Sequence, residues 1–308
     1  MAECYKQVID DLKAAITAMD NDEGKSFHKG HINLFAAQTL LSRVYLYHGD
    51  DSDALDMATQ AIKGAEAEGY KLWTNAEYAT AWGNDASNGT KGEVLFEIVN
   101  TTDDSPGKES LGRLHSPSGY KDICLTSSFY ALLNEDPDDV RLNLLEYSSK
   151  RAFVKKYQPQ DEEDIMDANI PLIRLSEAYL NAAEAAVKTG DNPSAVKYLN
   201  AIVSRANPAN SVEGSTVTLD RVMTERRKEL VGEGHRFFDA LRDGGSVNRH
   251  DVKGQSKISS TKHYITKAEK MNFSWDYYKC VLAIPKAEMD ANSNMLQNPL
   301  YDSSKDDE

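Results

Sequence analysis

The stretch RLSEAYLNAAEAAVKTGDNPSAVKYLNAIV, residues 174–203, decides the fold. Leu175, Tyr179, Ala182, Ala183 and Ala186 recur at the spacing of one helix face, Gly190-Asp191 interrupts the pattern, and Ala195, Val196, Leu199 and Ile202 resume it. The spacing predicts two antiparallel helices joined by a tight turn. Alanines on the facing positions let the two backbones approach closely, since interaxial distance is set by the side chains at the contact.

About 140 residues earlier the same plan occurs between Leu34 and Gly69. Leu34, Ala37, Leu41, Val44 and Tyr45 line one helix, Gly49-Asp50-Asp51 turns, and Ala54, Ala58, Ala61 and Ile62 line the next. Ala54-Leu55 after the first Gly-Asp matches Ala195-Val196 after the second. Helix, Gly-Asp turn and a second helix with an alanine face is the grammar of tetratricopeptide units, whose stacked hairpins share a continuous core. An unrelated alanine-rich antiparallel hairpin would read the same way. The expected fold class is mainly α, a tetratricopeptide-like helical-hairpin scaffold with long irregular loops and few short strands.

Further helices are expected where Val8, Ile9, Leu12, Ala15, Ile16 and Met19 repeat at helical spacing, and over Leu219 to Leu241. Glu93 to Val99 reads as a short strand. Thr101 to Tyr120 is rich in Ser, Gly, Pro and Asp and reads as a long loop, the kind of segment that carries function. A second irregular stretch, Asp243 to Lys270, holds Arg249, His250, Lys253, Lys257, Lys262 and His263, read as a solvated basic surface. Asp161 to Asp164 and the tail from Asp302 are read as solvent-facing, since neither has the spacing of a calcium loop.

A chain of 308 residues is long enough to bury a sizeable core, and 40% hydrophobic with 27% charged residues fits a globular protein. The 35 basic against 49 acidic side chains give a net charge of −14, which repels phosphate backbones, so nucleic acid is not an expected partner. No run is apolar enough to span a bilayer, because Asn181 and Glu184 interrupt even the alanine-rich segment. Cys4, Cys124 and Cys280 lie far apart, with neither disulfide-framework nor zinc spacing, and no metal or other cofactor is expected.

The densest charged motif is Glu225-Arg-Arg-Lys-Glu-Leu-Val-Gly-Glu-Gly-His-Arg-Phe-Phe-Asp239. On a helix Glu225, Glu229 and Glu233 share a face, with Arg226 and Arg236 within reach. Gly232 and Gly234 break the helix before His235, and the arginines oppose a cation, so the reading is an internal ion-pair network rather than a metal or acid/base site. Its expected counterpart is the polar stripe Arg174, Glu177, Asn181 and Glu184, with Asp239 a further member. No serine, cysteine or threonine stands in a nucleophile frame, and neither HExxH nor a phosphate-binding loop occurs, so the chain is expected not to be an enzyme.

Aromatic residues are the other chemistry-bearing group: Trp73, Tyr78 and Trp82 after the first hairpin, Tyr120 at the end of the long loop, and Trp275, Tyr277 and Tyr278 near the C-terminus. Sugar rings present apolar C–H faces that stack on flat side chains, with amides, arginine and carboxylates taking the hydroxyls. Trp82 and Tyr120 are therefore expected as stacking surfaces, Arg113 and Asp122 as hydroxyl or carboxylate partners, and Trp275 as an additional contact. Half-buried packing is the competing reading of any one aromatic.

The run Arg174-Leu-Ser-Glu177-Ala-Tyr179-Leu-Asn181-Ala-Ala-Glu184, then Leu199-Asn200 with Ser204-Arg205-Ala206, then Glu225 to Asp239 with Arg242, resembles the SusD/RagB family. Ile284-Pro285 with Asn292, Asn294, Gln297-Asn298-Pro299 and Tyr301 is similar to that family's C-terminal signature. Tyr5 to Ile16, Lys29 to Asp50, Ser128-Phe129-Tyr130 and Asp138-Asp139-Val140-Arg141 match in family order. The resemblance implies a lipid-anchored outer-membrane nutrient-binding protein of Bacteroidetes-type bacteria. Such a protein binds an oligosaccharide or polysaccharide, or in some members a peptide, and passes it to a SusC-like TonB-dependent transporter. The chain reads as an N-terminally shortened member, starting about where the later half of such proteins begins. Cys4 has no apolar run before it and is not read as a lipidation site.

The expected organisation is one SusD-like domain over 1–308, with helical scaffold in 1–72 and 171–242, a loop-rich ligand-side region in 73–170, and a C-terminal loop and signature segment in 243–308. Two other classes compete. A tetratricopeptide adaptor would bind proteins along a concave face, and a glycoside hydrolase would need two carboxylates about 5 to 10 Å apart across a cleft.

Overall fold

The computed structural model describes residues 2–21, 29–84, 91–158, 165–248 and 272–301. The basic stretch 249–271, the acidic run 161–164 and the tail from 302 lie outside the described residues. The fold is mainly helical, with short two-stranded ribbons between the helical pieces. The long helices are α1 (Ala2–Asp20), α2 (Leu34–His48) and α3 (Asp51–Ala67). The short helices α4 (Asn75–Tyr78), α5 (Ala81–Asn84), α6 (Leu111–His115) and α7 (Ser127–Leu133) follow. Then come α8 (Leu175–Thr189), α9 (Asn192–Ala206), α10 (Leu219–Glu229), α11 (Arg236–Leu241) and α12 (Lys286–Ala291). The strands are β1 (Val94–Ile98), β2 (Leu145–Ser148), β3 (Arg151–Val154), β4 (Ile170–Arg174), β5 (Ser246–Asn248) and β6 (Asn272–Ser274).

Both hairpins turn at a left-handed glycine that ends the first helix. The Asn33 side chain caps α2 by accepting from the Ala36 N–H, and Gly49 ends it at φ 93°, where its N–H reaches the Tyr45 carbonyl. Asp191 caps α9 by accepting from Ser194 N–H, directly after Gly190 has closed α8 at φ 79°. Glycine is needed at both turns because a side chain at these angles is strained. Ala54, Ala58, Ala61 and Ala65 form a fully buried stripe on α3. That stripe lets α3 pack on α8, whose Ala178, Ala182, Ala183 and Ala186 are equally buried in the same core. α2 lies on α3 and α8, α9 on α8, and α10 on both α8 and α9. α1 lies against α2, where its half-buried Ile9, Leu12 and Ile16 meet Leu41, Tyr45 and Leu46.

β1 and β4 pair antiparallel, from Val94 opposite Arg174 to Ile98 opposite Ile170. This ribbon brings Arg174 to the junction of β4 and α8. β2 and β3 form a hairpin through Ser149 and Lys150, both at positive φ (49° and 62°), the geometry of a two-residue turn matching strand twist. The expected loop from Thr101 to Tyr120 contains a 3-10 turn, Gly107–Glu109, and α6. The single helix expected over Leu219 to Leu241 is two helices, because Gly232 (φ 82°) and Gly234 (φ 83°) turn the chain between α10 and α11.

The described chain divides into two compact units, one through Arg236 and one from Phe237 onward. The second holds α12 and the β5–β6 ribbon. Its C-terminal segment is clasped by side chains in place of a strand partner. Gln297 accepts from Ile284 N–H at 2.8 Å and donates to Ile284 O at 2.9 Å, Asn298 donates to Leu282 O at 2.7 Å, and the Tyr301 hydroxyl donates to Val281 O at 2.8 Å. The Gln-Asn-Pro ending is thus structural.

Candidate functional site

A buried ionic cluster lies where β1, β4, α9 and α10 meet. Arg174 donates to three carboxylates: Glu93, Glu229 at 3.2 Å, and Glu233 at 2.8 Å from both Nε and Nη2. Arg205 is 3.0 Å from Glu93 and 2.8 Å from Glu229. Arg141 forks onto Asp139 at 2.8 and 2.6 Å and lies 2.7 Å from Glu225. The Arg205–Glu229 and Arg141–Glu225 contacts are close in distance without hydrogen-bond alignment, so they act as Coulombic pairs. Lys156 Nζ donates to the Glu229 carbonyl at 2.6 Å and to Glu233 at 2.5 Å. Four buried cations thus face five buried carboxylates, and half-exposed Arg221, 2.7 Å from Glu225, evens the count at the rim. Burial at this depth is tolerable only because each charge is paired and hydrogen-bonded.

A second polar contact set lies along α8. Arg43 holds Glu177 bidentately at 2.5 and 2.6 Å, and Asn181 donates to Ser42 and accepts from Arg226, both within 2.9 Å. Glu184 pairs with Lys188 one turn along its own helix at 3.2 Å, Asp239 pairs with Arg242 at 3.0 Å in the second unit, and Arg236 is exposed. The glycine turns re-aim the chain after Glu233. Glu93, Arg141, Lys156 and Arg205 belong to the cluster without being expected there, although Arg141 and Arg205 fall in the family-like motifs.

These charges make stability depend on acid. Burial alone would raise the carboxyls of Glu229 and Glu177, but Arg205, Arg174, Arg141 and Lys156 around the first, and Arg43, His235 and Arg226 around the second, outweigh it and hold each at about 2. A depressed folded-state value contributes stability that is complete above the unfolded carboxyl value near 4.5 and is lost as pH falls toward 2. Urea midpoints measured from pH 7 to 2.5 should therefore fall most steeply below about pH 4.5. A flat profile down to pH 3 would contradict the assigned pairs.

Trp82 corrects an expectation. It is only 7% exposed, packed edge-on against Trp73 and Tyr78, with Lys156 and Arg174 each 4.7 Å from its ring centroid. Its faces are spent on cation–π packing against the ionic cluster, so it offers no stacking surface to a ligand.

Tyr120 is different: 42% of it is exposed, and the Arg113 guanidinium lies 5.4 Å from its ring centroid. The loop that carries it folds back on α6. Gly119 N–H reaches Ser116 O, Tyr120 N–H reaches Arg113 O at 2.9 Å, and Ile123 N–H reaches Leu114 O at 3.1 Å. A Cβ on Gly119 would stand 2.1 Å from the Arg113 carbonyl oxygen, so only glycine permits this approach. His115, at the end of α6, packs on Tyr157 at 4.9 Å, and the Tyr157 hydroxyl donates to Gly232 O, in the turn that carries Glu233. These contacts tie α6 to the turn that carries Glu233. Asp122 is exposed on the same loop, while Trp275, 58% exposed, belongs to the second unit. Of the residues singled out from sequence, Arg113 and Tyr120 are in contact, Asp122 is two residues along, and Trp82 is buried in the aromatic cluster with Trp73 and Tyr78. Among the described residues no group of three metal-ligating side chains converges.

A helical-hairpin scaffold locked by buried ion pairs and displaying an aromatic–arginine surface on a folded-back loop is the architecture at hand. The chain belongs to the SusD family, whose model matches residues 117–301. It is 31% identical over 164 residues to the starch-binding protein SusD of Bacteroides thetaiotaomicron, a match covering 52% of this chain and 26% of that protein. A solved Bacteroides vulgatus protein is 62% identical with a TM-score of 0.92, over 98% of this chain and 66% of its own. A SusD superfamily protein from the same species is 39% identical with a TM-score of 0.84, again over 98% and 66%. The chain spans just under two-thirds of the length of these solved relatives.

Proposed function

We infer that this chain is a glycan-binding component of a polysaccharide uptake system, a binding protein rather than an enzyme. Tyr120 is its stacking surface, with Arg113 and Asp122 as polar partners. The observation that carries the reading is an open tyrosine ring beside a guanidinium, on the scaffold of a family that includes a starch-binding protein. The 62% identical Bacteroides vulgatus protein is itself described as a candidate sugar-binding protein. Trp275 offers a separate contact on the second unit. Delivery to a SusC-like TonB-dependent transporter, and a lipid-anchored place on the outer-membrane surface, complete the proposal. Among the described residues no helix is long and apolar enough to cross a membrane.

Calorimetric titration of the folded chain against soluble oligosaccharides, with casein-derived peptides as the competing class, tests it. Saturable binding to an oligosaccharide is expected. Tyr120→Ala should weaken that binding by about tenfold, or about 1.4 kcal/mol, the upper end of what an aromatic contact contributes beyond area burial. Binding to peptides alone would replace the glycan with a peptide ligand, and an unchanged Tyr120→Ala affinity would move the site elsewhere.

A further inference from the structure

The Tyr120 surface carries an unbalanced positive charge. Arg113 lies over the Tyr120 ring, Lys121 follows in the chain, and Arg151 of β3 donates from Nη1 to the Lys121 carbonyl at 3.4 Å. None of these three cations has a carboxylate partner among the described residues. That is unusual in a chain with 49 acidic and 35 basic side chains, where Arg141, Arg174 and Arg205 are all paired. Asp122, next in the chain after Lys121, forms no ion pair with them. The Arg113 Nε is moreover shut off from solvent without an acceptor, a donor left for something else to satisfy. Lys121 itself is held at φ 63°, a backbone conformation that non-glycine residues adopt at a cost and that clusters at binding sites.

A ring face beside a guanidinium with free donors matches one ligand chemistry: a saccharide whose apolar face stacks on tyrosine while an attached anion takes the arginine fork. The overall charge of −14 opposes anions at long range, so only a local excess of this kind could receive one. We propose that the Tyr120 surface selects an anionic oligosaccharide, held by Arg113 with Arg151 and Lys121 beside it. A uronic-acid carboxylate and a sugar sulfate are the two sources of that chemistry. The proposal rests on the glycan reading above and narrows it.

The test is titration of the whole chain with oligogalacturonate, a chondroitin sulfate oligosaccharide and uncharged maltohexaose, each at 20 and 200 mM NaCl. One anionic ligand should bind at least tenfold tighter than maltohexaose at low salt and weaken with added salt, because exposed charge pairs are screened. Whichever of the two binds more tightly identifies the source of the anion. Arg113→Gln should lose about tenfold on that ligand and clearly less on maltohexaose, which gives up only a hydroxyl contact, with an unchanged circular dichroism spectrum. Arg151→Gln, which does not touch Tyr120, should reduce the salt dependence. Maltohexaose binding as tightly as both anions, lost in Tyr120→Ala but indifferent to Arg113→Gln, would overturn the anionic selection and leave the glycan reading standing. Silence from all three ligands would overturn both.

Discussion

Arg174→Met will destabilise the fold by about 3 to 5 kcal/mol at pH 7, the cost of leaving buried charges without their partner. One guanidinium serves Glu93, Glu229 and Glu233 through three nitrogens, so its removal leaves three carboxylates short of a counter-charge at once. Arg205 still reaches Glu93 and Glu229, and Lys156 still reaches Glu233, which keeps the loss within that range. Arg174→Lys will recover only part, because an ammonium lacks the planar fork that reaches several acceptors. The penalty should also shrink in acid: without Arg174 the Glu229 and Glu233 carboxyls take up protons more readily in the folded state, which neutralises uncompensated charge. Urea denaturation of both variants at pH 7 and pH 4.5 decides it. A methionine variant within 1 kcal/mol of the parent at pH 7 would mean that the cluster is not held together through Arg174.

The same cluster explains which parts of the protein were legible in its sequence. The hairpins were, because everything that makes them is local: an alanine face, an Asn or Asp cap, and a glycine forced into the left-handed region within a few residues. The charged motif on α10 was recognisable as structural, since arginines interleaved with carboxylates repel a metal and satisfy one another. Its membership was not. Glu93, Arg141, Lys156 and Arg205 arrive from the bend before β1, the turn before β2, the chain after β3, and α9, and no spacing rule links such segments. Trp82 failed as a stacking surface for the same reason: the cations that cover it, Lys156 and Arg174, are distant in sequence. Tyr120 lies on a loop whose folding back could be read only from the place where Gly119 meets Arg113.

That meeting point gives the sharpest separation between fold and function. Gly119→Ala will weaken binding of any oligosaccharide that engages Tyr120 by at least tenfold, while leaving the urea midpoint of the helical core nearly unchanged. The new methyl would stand 2.1 Å from the Arg113 carbonyl oxygen and 2.7 Å from its Cα, far inside contact distance and against backbone that cannot rotate away. The loop must therefore lift, breaking the 2.9 Å bond from Tyr120 N–H to Arg113 O and taking the ring off its guanidinium. The cost falls on an exposed loop outside the hairpin core, so global stability should drop by only about 1 kcal/mol, one net hydrogen bond. Gly49→Ala is the matched control. Gly49 is also at positive φ, 93°, but has nothing within 4 Å of its added methyl. It should lose a similar amount of stability through backbone strain alone, with affinity intact. If both alanine variants bind as the parent does, Tyr120 is not the contact surface. If both lose affinity in proportion to stability, binding reports the scaffold as a whole. Only loss confined to Gly119→Ala places the ligand on the surface that α6 and its returning loop build together.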